Sequence, residues 1–136
     1  IRYGAGDSRE VGVNDMMNTK NSVTVLGCEY QITVVQHDQY KTCEGCDGWT
    51  DPYSKKIFLI DQTANPDCDP IATDPVGRMK QVLRHEIVHA FLNESGLVYN
   101  SNFAMQGWAI NEEMVDWIAW NGDKLHKAWK EAGLVE

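Results

Sequence analysis

The sequence predicts an α+β fold, in which a small twisted β-sheet packs against one long helix and a second, acidic helix lies beside it. Three observations support this prediction. Residues 22–36 alternate β-branched and polar side chains, residues 74–94 follow a helical period, and residues 111–120 open with a capped acidic turn. The chain therefore offers a sheet face and a helix stripe that can bury each other.

Three stretches predict strands. A Val-Thr-Val-Leu run, then Gly27, then the alternating residues 30–35 predict a hairpin or two bent strands. Residues 37–54 are rich in turn formers, with a short strand expected around Trp49. Residues 55–60 have the length and apolar character of a central strand.

A long helix is expected after Asp74, which is a good N-cap and is followed by proline at the first helical position. It should run to about Glu94 and stop at Gly96. Its apolar residues at helical spacing, expected to form one buried stripe, are Val76, Met79, Leu83, Ile87, Ala90 and Phe91. The opposite side carries Val82, His85, His89 and Leu92. Two histidines on a second apolar side of the helix indicate that their imidazole groups have a polar partner there.

The C-terminal part predicts two further helices. Residues 97–110 are expected to form a connection, and a helix capped by Asn111 continues through Trp120. The Asn-Gly pair at 121–122 should end that helix, and residues 123–132 should form a short third one. Three of the tryptophans near this end, Trp108, Trp117 and Trp120, predict that it is packed.

Size and charge limit the possible functions. The 136 residues are expected to form a single domain spanning 1–136, and 43% hydrophobic residues suffice for a core. A formal net charge of -8 makes nucleic acid and anionic membranes unexpected partners. No apolar stretch is long enough for a membrane span and no signal-peptide pattern opens the chain, although it begins at Ile1 without Met, which leaves a processed leader open.

The four cysteines are Cys28, Cys43, Cys46 and Cys68. Only Cys43 and Cys46 have a C-x-x-C spacing, and no second pair completes a zinc knuckle. Free thiols of a reducing compartment, one or two disulfides, and a structural metal are the three alternatives.

The segment His85-Glu86-Ile87-Val88-His89 carries the chemistry. Histidines four apart on a helix project from the same side, where both imidazoles can bind one Zn²⁺. Glu86 can reach a metal-bound water without binding the metal, as a general base must. Such a motif arises by chance in a chain this long on the order of once in a few hundred sequences. The alternative is a pair of half-buried, hydrogen-bonded histidines.

A catalytic zinc needs a third protein ligand. The downstream candidates are Glu94, Glu112, Glu113, Asp116 and His126. Glu94 falls on the wrong side of the helix, whereas Glu112, 23 residues beyond His89, leaves enough chain to lay a second helix across the first. Glu113 competes with Glu112 for this role, and Asp116, one turn later, could orient a ligand imidazole. Compensation of the helix dipole is the simpler explanation of these acidic residues.

The His85–His89 motif followed by Asn111, Glu112 and Asp116 resembles the H-E-x-x-H plus N-E-x-x-x-D signature of the gluzincins, the thermolysin-like zinc peptidases. The short length resembles the minimal gluzincins, and the stretches Arg84–Leu97 and Asn111–Ala119 are similar to small phage and prophage metallopeptidases. The resemblance implies a zincin-like fold, zinc bound by His85, His89 and Glu112, Glu86 as general base, and Asp116 supporting a histidine. It further implies a cleft formed by residues 22–60, with an edge strand that pairs with an extended peptide or protein substrate.

The chain departs from related families in two ways. The metzincins, another zincin branch, need a glycine and a third histidine where this chain has Leu92 and Ser95. Larger gluzincins add a transition-state-stabilising His or Tyr from a further domain; Tyr53, Tyr99 and His126 are the candidates here.

We therefore expect a zinc-dependent peptidase, cytoplasmic in a bacterial host as the phage resemblance implies, with secretion as an alternative. Two rivals stay open. One is a narrow regulatory peptidase that cleaves a single phage or host partner, as the ImmA/IrrE-type family does, which the stretch from Glu112 to Ala119 resembles. The other is a non-catalytic zinc-binding phage protein, in which four protein ligands would hold the metal.

Overall fold

The computed structural model describes Asp15 and residues 17–36, 46–63, 74–101 and 107–136. Within these residues, four strands form one mixed sheet: β1 (Ser22–Val25), β2 (Cys28–Val35), β3 (Gly48–Asp51) and β4 (Lys56–Ile60). The described part of the chain also contains three helices, α1 (Pro75–Glu94), α2 (Leu97–Ser101) and α3 (Glu112–Glu131), and a 3-10 turn at Trp108–Ile110. The protein is thus α+β, as the sequence predicts.

The sheet order is β1-β2-β4-β3. β1 and β2 form the predicted hairpin, turning at Leu26 and Gly27, both of which have positive φ. β2 pairs with β4 in parallel, and β3 pairs antiparallel with β4. The strand expected around Trp49 is therefore present and lies at one edge, whereas β4 is central as predicted.

One face of the sheet packs on α1. Buried side chains from β2 and β4 meet α1 in the main core, whose largest fully buried members include Tyr30, Ile57, Leu59 and Met79. Successive side chains of a strand point to opposite faces of the sheet. Phe58, between the buried Ile57 and Leu59, therefore points to the other face, where it stacks on Trp49 with ring centroids 4.6 Å apart. Since Trp49 and Phe58 are paired neighbours on β3 and β4, this contact ties the edge strand to the sheet.

The predicted ends of α1 are confirmed. The Asp74 side chain accepts a hydrogen bond from the Gly77 amide, Pro75 is the first helical residue, and Gly96 has the positive φ of a helix stop. Beside that stop, Glu94 accepts a hydrogen bond from Tyr30 at 2.6 Å and pairs with Lys55. The Lys55 ammonium, followed by the Tyr30 hydroxyl, lowers the pKa of the Glu94 carboxyl to about 2.

The predicted apolar stripe of α1 is wrong at one position. Met79, Leu83 and Ala90 are buried, and Val76 and Ile87 pack against the core, but Phe91 is 42% exposed. Leu92 is buried instead, in a second small cluster with Ala109 and Val115 beneath α3. Residues 97–110 are also more structured than a plain connection, since they contain α2 and the 3-10 turn.

The predicted helix end at Asn121 and Gly122 is wrong. α3 runs without interruption to Glu131, and the expected third helix is its continuation. The Asn121 side chain donates to the Trp117 carbonyl within the helix, and an interior glycine costs only about 1 kcal/mol relative to alanine. The helix stops at Gly133, which has φ +75°.

The tryptophans near the C-terminus do not form a packed end. Trp108, Trp117 and Trp120 are each about half exposed or more, at 48%, 55% and 61%. The buried residues of α3, Val115 and Ala119, both lie in its first half. None of the helices that the structure describes combines the length and the apolar character needed to span a membrane.

Candidate metal centre

His85 and His89 lie one turn apart on α1 and face the same way. Their side chains are 19% and 18% exposed, and the two Nε2 atoms are 3.0 Å apart. The rings meet edge to face, with centroids 4.7 Å apart. Two imidazole nitrogens therefore converge on one point at the surface of the helix.

Glu112, the first residue of α3, brings a carboxylate to the same point. Its Oε2 lies 2.9 Å from His85 Nε2 and 3.3 Å from His89 Nε2. Asn111 caps this helix by accepting a hydrogen bond from the Met114 amide, and the burial of Val115 holds α3 against α1. Capping and packing together fix where the first turn of α3 meets the histidines.

Asp116 sits one turn further along α3, and its Oδ1 lies 2.6 Å from His85 Nδ1. An imidazole that donates its Nδ1 proton to a carboxylate presents an unprotonated Nε2, the form that binds metals. Asp116 is therefore placed to orient the His85 ring and to accept its Nδ1 proton.

The three converging atoms fit a tetrahedral zinc site. With bonds of about 2.0 to 2.1 Å, ligands of tetrahedral zinc are about 3.3 Å from one another. The observed separations are 2.9, 3.0 and 3.3 Å. Either a proton on His85 Nε2 or a shared metal ion relieves the repulsion between the imidazole and carboxylate lone pairs. The three donor atoms are close enough to share one metal ion.

Glu86 is buried, with 4% of its surface exposed, and stands next to the histidines. Ligand atoms of His85, Glu86 and His89 all lie within 4.8 Å of one another, so the Glu86 carboxyl lies close to any cation that the two histidines hold. Burial raises the pKa of the Glu86 carboxyl, while the Thr50 hydroxyl and the two imidazoles act in the opposite direction. The carboxyl is thereby made a stronger base than an exposed glutamate.

Thr50 on β3 holds Glu86 in place. Its hydroxyl lies 2.8 Å from Glu86 Oε2 and 2.9 Å from the Glu86 backbone oxygen. The close approach of β3 to α1 depends on Gly48, because a Cβ there would lie 2.8 Å from both Phe58 O and Val82 Cγ1. The edge strand is thus connected to the carboxyl at the centre of the site.

These groups line a cleft of about 520 Å³ between β3, α1 and α3. The lining residues in β3 and just before it are Cys46, Asp47, Gly48, Trp49 and Thr50. Those in α1 and α3 are Gln81, Val82, His85, Glu86, His89, Glu112 and Asp116. The expected clustering of His85, Glu86, His89, Glu112 and Asp116 is therefore what the structure contains.

Other candidates lie elsewhere. Among the residues that the structure describes, Glu113, Tyr53, Tyr99 and His126 do not line the cleft, and Tyr53 and Tyr99 are 85% and 57% exposed. Glu94 is engaged with Lys55 and Tyr30, as its predicted position on the other side of α1 requires.

Thr50 and Gly48 were not identified from the sequence, because only the packing of β3 against α1 gives them a role. Of the cysteines, Cys28 lies in β2 and Cys46 lines the cleft, while Cys43 and Cys68 lie outside the described residues.

In comparisons with known proteins, no family model, curated protein or solved structure matches the chain. The resemblance to gluzincins is therefore based on the spacing of the two sequence motifs alone.

Proposed function

We propose that the protein is a zinc-dependent peptidase with a zincin-like arrangement. The observation that supports this most strongly is the triangle of His85 Nε2, His89 Nε2 and Glu112 Oε2, with sides of 2.9 to 3.3 Å, beside the buried carboxyl of Glu86. Three protein ligands leave one position of a tetrahedral zinc for water, as catalysis requires.

Each residue of the site has a separate role in the proposed hydrolysis of a peptide bond. His85, His89 and Glu112 would hold the metal, and Asp116 would orient His85. When bound, zinc would polarise the scissile carbonyl and lower the pKa of a water molecule. Glu86 accepts a proton from the attacking water as its oxygen bonds to the scissile carbon, and donates that proton to the nitrogen that leaves.

The substrate class follows from the edge strand. β3 pairs with β4 on one side only among the described strands, and its residues line the cleft. An extended peptide can add to such an edge through backbone hydrogen bonds. Its scissile bond would then run past Glu86, because Thr50 on β3 contacts that carboxyl directly.

Metal content and cleavage test the proposal together. We expect purified protein to bind one zinc per chain and to cleave unfolded protein substrates such as casein, with chelation abolishing cleavage and added zinc restoring it. Elemental mass spectrometry measures the bound zinc independently of cleavage, so the metal site and the activity are tested separately. Undiminished cleavage after complete removal of zinc would contradict the proposal.

The same assay separates the rivals. Cleavage of a single partner with none of casein would identify the narrow regulatory peptidase. Zinc bound without exchangeable water, by a fourth protein ligand, would identify the non-catalytic protein.

Thr50→Val provides a test of how Glu86 is positioned. The change keeps the side-chain volume but removes the hydroxyl that holds Glu86 Oε2, so we expect kcat to fall by about 10- to 100-fold. The KM and the affinity for zinc should change little, because Thr50 contacts none of the proposed ligands. Steady-state kinetics and zinc titration measure these effects. Thr50→Ser keeps the hydroxyl and should restore most of the kcat; a serine variant as slow as the valine variant would refute the role.

A further inference from the structure

A stripe of exposed side chains runs along the outer side of α3. Five side chains spaced alternately four and three residues apart lie on one side of the helix, and Glu131 continues the same spacing at the last residue of α3. The five are Glu113, Trp117, Trp120, Lys124 and Lys127. All five are exposed, and Trp117 and Trp120 are 55% and 61% exposed. The side of α3 that packs on the protein is a different one, formed by Val115 and Ala119.

The spacing of the outer stripe is that of a helix seam in a coiled coil, where residues recur every 3.5 positions on average. Two large apolar side chains at its centre are unusual on a helix surface that faces water, because tryptophan gains more from burial than almost any other side chain. The outer stripe therefore has the pattern of a surface that packs against another helix.

The charges along the outer stripe determine which helix fits. The stripe is acidic at Glu113, aromatic at Trp117 and Trp120, and basic at Lys124 and Lys127. A second copy laid parallel would bring like charges together at every charged position. A second copy laid antiparallel brings opposite charges together, because the spacing of the stripe is nearly symmetric about Trp120.

We propose that a second copy of this chain docks antiparallel on the outer stripe of α3. In this arrangement Glu113 faces the partner's Lys127, and Trp120 faces the partner's Trp120 across the two-fold axis. Trp117 faces the partner's Lys124, whose ammonium can lie over the indole ring. Each of these five side chains gains a complementary neighbour, as an interface between identical surfaces requires, while Glu131 extends past the partner's Glu113.

The area available matches a weak dimer. The exposed parts of the two tryptophans amount to roughly 300 Å² per chain. With the stems of the three charged residues the outer stripe offers about 500 Å² per chain, or roughly 1,000 Å² for the pair, which is the lower bound for specific interfaces. The dimer is therefore expected to form and dissociate with protein concentration.

Sedimentation equilibrium tests the dimer directly. The apparent mass of the wild-type protein should rise from the 15.4 kDa of one chain towards twice that value as the protein concentration increases to about 100 µM. Trp120→Glu should remain at the monomer mass. Trp129→Glu is the matched control, since Trp129 lies on the same helix and is 49% exposed but falls outside the stripe; it should dimerise like the wild type.

Charge reversal tests the antiparallel register without altering the tryptophans. Glu113→Lys alone and Lys127→Glu alone should each weaken dimerisation at least tenfold, because each places like charges across the seam. The two changes together should restore it. A wild-type protein that stays monomeric, or a double variant that dimerises no better than either single variant, would overturn the proposal. Since these side chains are exposed and outside the cleft, zinc binding should be the same in all variants.

Discussion

Replacing Glu86 with glutamine is expected to lower kcat by about 10²- to 10⁴-fold, the usual contribution of a general base. Glutamine has nearly the same shape, and its amide oxygen can still accept the Thr50 hydrogen bond that Glu86 accepts at 2.8 Å. What it cannot do is accept the proton of the attacking water. The variant should therefore fold, bind zinc like the wild type and fail to turn over.

Steady-state kinetics and zinc titration of the same preparation check this expectation. The matched control is Glu29→Gln, the same chemical change at an exposed position of β2 that is remote in sequence from both zinc motifs; it should leave both quantities unaltered. A Glu86→Gln protein with wild-type kcat would remove Glu86 from the reaction. Loss of zinc binding in this variant would instead indicate that Glu86 is itself a ligand.

Local signals in the sequence predicted most of the fold. The alternation in residues 22–36 and the Asp74-Pro75 cap each depend on neighbours within a few positions, and β1, β2 and the start of α1 follow from them. The same locality explains the errors. Asn121 and Gly122 are helix-ending residues by themselves, but flanking helix formers and the Asn121 hydrogen bond to Trp117 O carry α3 through them.

The candidate site was predictable where its chemistry lies on one helix. His85, Glu86 and His89 are fixed relative to each other by the helical period, so their spacing alone places them together. Spacing alone left Glu113 as an alternative to Glu112, because 23 residues separate Glu112 from His89 and the tertiary fold determines which side of the second helix faces the histidines. Thr50 could not be found in this way, since its role depends on strand β3 lying against α1, a contact between distant parts of the chain.

The site and the outer stripe use two sides of one helix. The first turn of α3 presents Glu112 to the histidines, while Trp117 and Trp120 face outward. Burial of Val115 and Ala119 orients the helix for both purposes. A change that rotated α3 by one residue would remove the carboxylate from His85 and turn the outer stripe, so zinc affinity and self-association should be lost together in such a variant.

Glu112→Ala is expected to reduce the affinity for zinc by more than about 100-fold, because even partners that only orient a metal ligand contribute about 10- to 100-fold. The substitution removes the single carboxylate in the triangle, whose Oε2 lies 2.9 Å and 3.3 Å from the two imidazoles. Peptide cleavage should fall with zinc occupancy. Asp116→Asn, which weakens the contact to His85 Nδ1 but leaves all three ligands, should lie between this variant and the wild type.

Glu113→Ala decides between the two adjacent glutamates. It removes the same side chain one position along α3, where the carboxylate does not line the cleft, so the zinc affinity should equal that of the wild type. Competition with a chromophoric chelator measures all three affinities under one set of conditions. If Glu113→Ala lost zinc and Glu112→Ala kept it, α3 would have to be rotated by about 100° from the orientation described above. The burial of Val115 and Ala119 opposes that rotation, because it would carry Val115 out of its contact with Leu92 of α1 and expose Ala119.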